Sequence, residues 1–323
     1  MLRLKSPWDI IKNIERKNIA KFTSLIYNKN KNGEKNMAVI IDGKTLAKEI
    51  REEIKKEVEE LKEKGIFSKL AVIMVGNDPA SAIYIKNKSK ACNKAGIAFE
   101  EFLLPEQTNM QELLNLIKDL NKRDDIHGIL LQSPIPKQLN IQEAFETIDY
   151  RKDVDGFTAI NIGKLVLNMP TFISCTPYGI IKILEKYDIN IESANAVILG
   201  RSDIVGKPLI QCLLNKNATV TVCHSKTKNI EEITQRADIL ISAIGKPNFV
   251  TVDMVKEGAV VIDVGINRTE NGIVGDVDFE NVQQKASYIT PVPGGVGPMT
   301  IAMLLHNVVK ATKELTMNNH YNN

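Results

Sequence analysis

Ala196-Val-Ile-Leu-Gly200-Arg-Ser-Asp-Ile-Val-Gly206-Lys-Pro208 is the stretch on which the reading of the fold turns. An apolar run, a glycine turn and a proline-bearing helix start form one strand–turn–helix unit. Such a unit aims unpaired backbone N–H groups and the positive end of a helix dipole at whatever fills the turn. That suits a pyrophosphate. Ser202 stands where the usual dinucleotide fingerprint has its second glycine, so the turn alone leaves both a nucleotide site and a merely tight turn open. Around it the pattern predicts strands at 196–199, 218–223, 239–243 and 260–264. Helices are expected at 204–214, near Glu231, and after Pro298 to close the fold.

The first half repeats the alternation. Leu46, Ile50, Ile54, Val58 and Leu61 recur at three and four residues, one face of a helix over 44–64 that Gly65 ends. Short apolar runs predict strands at 70–75, 97–104 and 126–131. Asp78-Pro79-Ala80-Ser81 opens a helix running to Gly96, and Thr108-x-x-Gln111 reads as a capping box for the next one. A break falls at 149–175, where 161–174 shows no period, and Thr176-Pro177 reads as a cap and first helical residue. The fold class expected is α/β: two α/β domains with mostly parallel sheets, the second Rossmann-like.

Composition excludes several classes. The 323 residues carry a net charge of +3, but residues 1–36 hold nine Lys or Arg against three Asp or Glu, a surplus of +6 that leaves −3 for the rest. Nucleic-acid binding gains no support from such a balance. No apolar run approaches a membrane span. Cys92, Cys175, Cys212 and Cys223 have no Cys-x-x-Cys spacing and read as reduced thiols of a cytoplasmic protein; His127, His224, His306 and His320 are equally dispersed, so no metal site is expected. The basic extension lacks the apolar core of a secretory signal, and its shortage of Ser and Arg weakens a transit-peptide reading. Gly33-Glu-Lys-Asn-Met37 can be encoded with a purine-rich ribosome-binding site ahead of an ATG, so translation from Met37 is expected; a native peptide spanning Lys35 to Ala38 would refute that.

An NAD site ordinarily ends its second strand with a carboxylate on the ribose hydroxyls, whereas this chain has Val222-Cys-His-Ser225-Lys226. Arg201, Ser225 and Lys226 can instead hold a 2′-phosphate, which favours NADP; a solvated strand end is the alternative. Ser242-Ala-Ile-Gly245 and Asp263-Val-Gly265-Ile266-Asn267 add glycine turns at later strand ends, where open α/β sheets hold ligands. With Gly200, Arg201, Ser202, Val205 and Gly206, the residues Ser225, Gly245 and Ile266 make up the expected cofactor site.

A second constellation lies upstream. Tyr84 and Lys88, four apart on one helix, project from one face. A free lysine with a pKa of about 10.4 is a poor base, so Lys86 and Lys90 are expected to weaken its hold on the proton by repulsion. Gln132 ends a strand beside Pro134 and Pro136, placed to hydrogen-bond a lysine or a ligand amide, or simply to cap the strand. Lys152-Asp153-Val-Asp155-Gly-Phe157 offers two carboxylates, suited to accepting from a heterocyclic N–H. Finally, 288–300 carries no charge and holds Pro291, Pro293, Gly294, Gly295, Gly297 and Pro298, a stiff backbone stripped of side chains where a ligand can approach.

Together these stretches resemble the bifunctional methylenetetrahydrofolate dehydrogenase and methenyltetrahydrofolate cyclohydrolase family, the FolD type, from about Met37 to Leu315. Gly76-Asn-Asp-Pro-Ala-Ser81 with Tyr84-x-x-x-Lys88, Leu131-Gln132-x-Pro134-x-Pro136, Lys152-Asp-Val-Asp-Gly-Phe157, Gly200-Arg-Ser-x-x-Val-Gly206-x-Pro208 and Pro291-Val-Pro-Gly-Gly-Val-Gly-Pro-Met-Thr300 carry the likeness. The resemblance implies proton transfer by Lys88, tuning by Gln132, pterin stacking on Tyr84 and pterin binding by Asp155. It implies a folate cleft lined by Pro293, Gly294, Gly295 and Val296, NADP on the Gly200-Arg201-Ser202 turn, and a homodimer. The implied division is 37–155 plus 298–317 for folate and 156–297 for NADP, joined by long helices around a cleft. Two rivals stay open, a dehydrogenase-only enzyme of the same fold and a non-catalytic nucleotide-binding protein. A formate ligase is not expected, because neither a Gly-x-x-x-x-Gly-Lys-Ser/Thr run nor spare length for a further ATP-binding region is present.

Overall fold

A computed structural model describes residues 37–270 and 272–318; the expectations about 1–36 fall outside the described residues. The first half places β1 (Val39–Ile40), α1 (Gly43–Glu63), β2 (Lys69–Val75), α2 (Pro79–Ala95), β3 (Ala98–Leu104), α3 (Met110–Lys122), β4 (Gly128–Leu131) and α4 (Ile141–Thr147) in chain order. β3, β2 and β4 form a parallel sheet in that order. The expected capping box is displaced by one residue: Asn109 accepts from the Glu112 N–H while Glu112 reaches back to the Asn109 N–H. Thr108 is buried, so its neighbour takes the exposed capping position.

The second half contains α5 (Ala159–Val166), α6 (Cys175–Lys186), β5 (Asn195–Leu199), α7 (Gly206–Leu214), β6 (Thr219–Cys223), α8 (Ile230–Thr234), β7 (Ile239–Ser242), β8 (Val260–Asp263), the antiparallel pair β9 (Asn267–Thr269) and β10 (Gly272–Val274), α9 (Phe279–Val282), β11 (Tyr288–Ile289) and α10 (Val296–Asn318). Its parallel six-stranded sheet runs β1-β11-β8-β7-β5-β6. β1, at the start of the described residues, pairs with β11 and so joins this second sheet. A helix also occupies the aperiodic stretch, since α5 exposes Ile160 and Val166 and buries only Asn161 and Leu165. α6 begins one residue before Thr176; Ser174 is its cap residue, and its hydroxyl donates to the Ile204 carbonyl rather than capping the helix.

Alternation along the central strands sorts the core into layers. Leu70, Val72 and Met74 face one cluster with Ala196 and Ile198, whereas Ala71, Ile73 and Val75 face the outer helices of the first sheet and Val197 and Leu199 those of the second. The shared middle layer is where α10 lies, burying Met299, Met303, Leu304, Leu305, Val308 and Val309 against α1 and α6. At roughly 1.5–3 kcal/mol for each large aliphatic side chain, this burial outweighs any single polar contact in holding the halves together. Asn307 adds direction. Its buried amide donates to the Val154 carbonyl at 2.8 Å and to the Ile173 carbonyl at 3.1 Å, fixing the connecting segment that carries Asp155. Asn307→Ala removes both of these bonds, leaving the Val154 carbonyl only the weak Cys175 thiol donor, and is expected to cost about 2 kcal/mol. A lower urea midpoint at unchanged slope checks this; an unchanged midpoint contradicts it.

Candidate active site

Lys88 projects from α2 toward the end of β4. Its Nζ donates to Gln132 Oε1 at 2.9 Å, while Gln132 Nε2 donates to the Ser133 carbonyl at 2.7 Å. The second bond fixes which way the amide points, so the oxygen faces the ammonium. Gln132 is 8% exposed and its backbone N–H donates to Ile73, so the strand end holds it rigidly. Tyr84 lies one turn earlier on the same helix face, 42% exposed. Lys86 and Lys90 turn into separate grooves on either side of α2 and do not join the Lys88 face.

The two expected carboxylates part company. Asp153 is buried and accepts from the Gly156 N–H, the Thr158 N–H and the Asn161 amide, all at 2.8–2.9 Å, so it holds the loop. Lys152 is likewise structural, donating to the carbonyls of Leu120, Asn121 and Arg123 at the end of α3. Asp155 remains for the cleft. Burial raises its pKa, and the Lys88 ammonium opposes that rise. Some of the residue still reaches the surface, although protein crowds its carboxyl. The Cys175 thiol donates to Asp155 Oδ1 at 3.6 Å, and burial together with the neighbouring carboxylate keeps that thiol protonated.

The Pro-Gly-Gly segment meets the start of α1 backbone to backbone. A β-carbon at Gly43 would overlap the Gly295 carbonyl oxygen, and Gly294 has φ +117°, a conformation that favours glycine. Pro293 is exposed, whereas Val296 is buried in the middle core layer, so its side chain fixes the loop instead of lining the cleft surface. Thr300 and Thr176 share a hydrogen bond at 3.0 Å that ties the start of α10 to α6.

The second half presents a cradle at the C-terminal ends of its strands. Gly200 has φ +112°, and a β-carbon there would overlap the Ala243 carbonyl; one at Gly206 would lie 2.6 Å from the Gly200 carbonyl. Ser202 Oγ accepts from the Val205 and Gly206 N–H groups at 3.3 Å, so the serine turns the chain into α7 where a glycine is usual. Arg201 and Ser225 are both exposed at this edge, Arg201 outside any ion pair among the described residues. Gly245 and the half-exposed Ile266 follow at the ends of β7 and β8. A phosphorylated dinucleotide fits this set: close-approach backbone, a helix start, and an unpaired guanidinium beside a hydroxyl.

Two family models match in order, the tetrahydrofolate dehydrogenase/cyclohydrolase catalytic domain over residues 41–155 and the NAD(P)-binding domain of the same family over 174–316. The chain belongs to the tetrahydrofolate dehydrogenase/cyclohydrolase family. Among its members, the bifunctional protein FolD of Bacillus pumilus is 55% identical over 277 residues, 85% of this chain and 98% of the relative. The corresponding protein of Campylobacter hominis is 54% identical over 275 residues, covering 85% and 97%. The crystal structure of the bifunctional FolD enzyme of Campylobacter jejuni superposes with a TM-score of 0.85 at 53% identity, covering 86% of this chain and 99% of that one. The FolD of Trypanosoma brucei, solved with NADP cofactor and an inhibitor, gives 0.82 at 36% identity, covering 86% and 98%.

In this family member the structure brings Lys88 to Gln132 and within charge reach of Asp155, with Tyr84 one turn from Lys88 on the same helix and the glycine cradle on the other half. Sequence reading passed over two buried aspartates that shape that cradle. Asp276 accepts from Ser242, Ile244, Gly245, Lys246 and Asn267. Asp263 accepts from Gly265, Asp276 and Val277 N–H groups, which partly offset the burial that pushes it up to about 6. The signal was a carboxylate ending the apolar run Val260-Val-Ile-Asp263. Among the described residues no cluster of His, Cys, Asp and Glu could hold a metal ion, and no helix is long and apolar enough to cross a membrane.

Lys88 and Asp155 are coupled through charge, which fixes the sign of a titration. Because the folded pKa of Asp155 lies above its unfolded value, ionising it costs stability as pH rises between the two. Lys88→Met removes the opposing ammonium, so the Asp155 pKa is expected to climb further, read from its carboxyl ¹³C shift against pH. An unmoved or lowered titration contradicts the coupling.

Proposed function

We propose that this chain oxidises 5,10-methylenetetrahydrofolate to 5,10-methenyltetrahydrofolate with NADP, and hydrolyses that product to 10-formyltetrahydrofolate. The observation that carries the reading is the Lys88–Gln132 hydrogen bond at 2.9 Å, held within the electrostatic reach of Asp155. NADP, when bound, takes the hydride released from the methylene carbon between two folate nitrogens. A nitrogen lone pair drives that release, so the protein needs no strong base for it.

The residues divide the remaining work. Asp155 accepts from the pterin N–H groups, Tyr84 stacks on the ring, and the exposed face of Pro293 with the Gly294–Gly295 backbone bounds the folate. Hydrolysis requires water to add to the cationic methenyl carbon and to lose a proton there, after which the bond from that carbon to N5 breaks, N5 takes up a proton, and the formyl group stays on N10. Lys88 Nζ stands at that post, and Gln132 Oε1 keeps its N–H directed. Arg201 and Ser225 hold the 2′-phosphate, while the Gly200–Gly206 turn and Val205, with Gly245 and Ile266, border the rest of the dinucleotide. The proposed division is 37–155 with 298–317 for folate and 156–297 for NADP, with β1 lent to the second sheet. The family resemblance supports a homodimer, and FolD relatives from bacteria support a cytoplasmic setting.

Lys88→Met is expected to lower cyclohydrolase turnover about 10²–10⁴-fold, so that the methenyl absorbance accumulates while the reduced-nicotinamide band still grows. Undiminished hydrolysis would remove Lys88 from the mechanism, and absence of both bands in the wild type would leave only a binding protein. Arg201→Ala is expected to weaken NADP about 10–100-fold and to spare NAD, the loss of charged hydrogen bonds to a phosphate. Equal losses with both cofactors in initial-rate kinetics would contradict the 2′-phosphate assignment.

A further inference from the structure

Asp276 and Asp263 are buried together at the C-terminal ends of β7 and β8. Asp276 Oδ2 accepts from the Ser242 hydroxyl at 3.1 Å and from the Ile244 and Gly245 N–H groups at 2.8 and 3.2 Å. Its Oδ1 accepts from the Lys246 N–H at 2.9 Å and the Asn267 amide at 3.0 Å. Three successive backbone N–H groups converging on one point form a nest of the kind that ordinarily takes a phosphate or another anion. Here the chain's own carboxylate fills it. Asp263 holds Asp276 in turn, accepting from its backbone N–H at 3.0 Å. The fit is tight, since a β-carbon on Gly265 would overlap Asp276 Oδ1 and one on Gly275 would overlap Asp263 Oδ2. Among the described residues neither carboxylate joins an ion pair. Two like charges kept from water without a cation weigh against stability, and a cation brought near them by a ligand relieves that cost.

The order of the strands says which part of a dinucleotide comes near. Across the sheet β6, β5, β7 and β8 follow one another. With the 2′-phosphate on Arg201 and Ser225 beside β6, and the pyrophosphate on the Gly200 turn after β5, the other half of the molecule extends over the ends of β7 and β8, about 5 Å farther for each strand. That half carries the nicotinamide. Asp276 ties down both loops there, through Gly245 and through Asn267, the residue after Ile266. A β-carbon added at Gly245 would meet nothing within 4 Å, so the first loop borders open space with the carboxylate behind it. The oxidised nicotinamide ring is the one cationic group of the cofactor, and uptake of a hydride makes it neutral. We propose that Asp276 and Asp263 are specificity-determining residues acting through these loops, their buried negative charge holding the oxidised cofactor more tightly than the reduced one. The inference rests on the NADP reading of the cradle.

Calorimetric dissociation constants for oxidised and reduced NADP test this on the full chain, with wild type beside Asp276→Asn, Asp263→Asn and Asn267→Ala. Working well above pH 6 keeps Asp263 ionised, because burial pushes it up to about 6. Each Asp→Asn change is expected to lower the ratio of the reduced to the oxidised dissociation constant about three- to tenfold, since removing one charge weakens only the cationic form. Asn267→Ala keeps both charges and loses one tie, so it is expected to weaken the two forms alike and leave the ratio where it was. That contrast separates lost charge from a loosened loop. Asp263→Asn carries the test where Asp276→Asn does not fold. An unchanged ratio in either folded Asp variant, or an equal fall of the ratio in Asn267→Ala, would overturn the assignment. Binding of neither form by the wild type would instead refute the NADP reading itself.

Discussion

The burial of α10 between the two halves is the constraint on which the site depends. Its apolar face fills the middle layer, and Asn307 reaches from that face to the carbonyls of Val154 and Ile173. Asp155 therefore sits on a segment positioned from behind by a helix more than a hundred residues later. The same helix begins with the glycine-rich stretch, whose Gly295 packs on Gly43 with no room for a β-carbon. Packing, loop shape and the crevice are thus consequences of a single docking event.

Across the two halves the arrangement separates charges that support the scaffold from charges left for chemistry. Asp153, Asp263, Asp276 and Lys152 are all buried and supplied with several hydrogen bonds, as groups must be when water cannot reach them. Lys88 and Asp155 are less fully engaged. The lysine has one neutral partner in Gln132, and the aspartate has a weak thiol donor, so each keeps hydrogen-bonding capacity for a ligand.

Much of this was legible in the sequence because it follows local periodicity. The apolar runs of β2 and β5, the spacing on α1 and the glycine turn at Gly200 each depend on residues within one or two turns of one another. What was not legible depended on distant partners. β1 and β11 are two residues each and acquire meaning only from pairing across the chain. Asp153 and Asp155 are identical side chains two positions apart, told apart by the donors that fold onto the first. α5 lacked an apolar face because its buried contacts come from Asn161 as much as from Leu165. Val296 resembled its loop neighbours in the sequence, yet its side chain points to the core.

The central claim is that an amine from one half and a glycine-built cradle from the other face a common crevice in which folate and dinucleotide meet. A crystal structure of the full chain with NADP and a non-reacting folate analogue tests it most directly. The account predicts the pterin between Tyr84 and the Lys88–Gln132 pair with Asp155 on its ring N–H groups, and the nicotinamide entering from the Gly200 turn toward the same carbon. A pterin bound elsewhere, or a Lys88 ammonium pointing into bulk solvent with the nicotinamide out of reach, would contradict it.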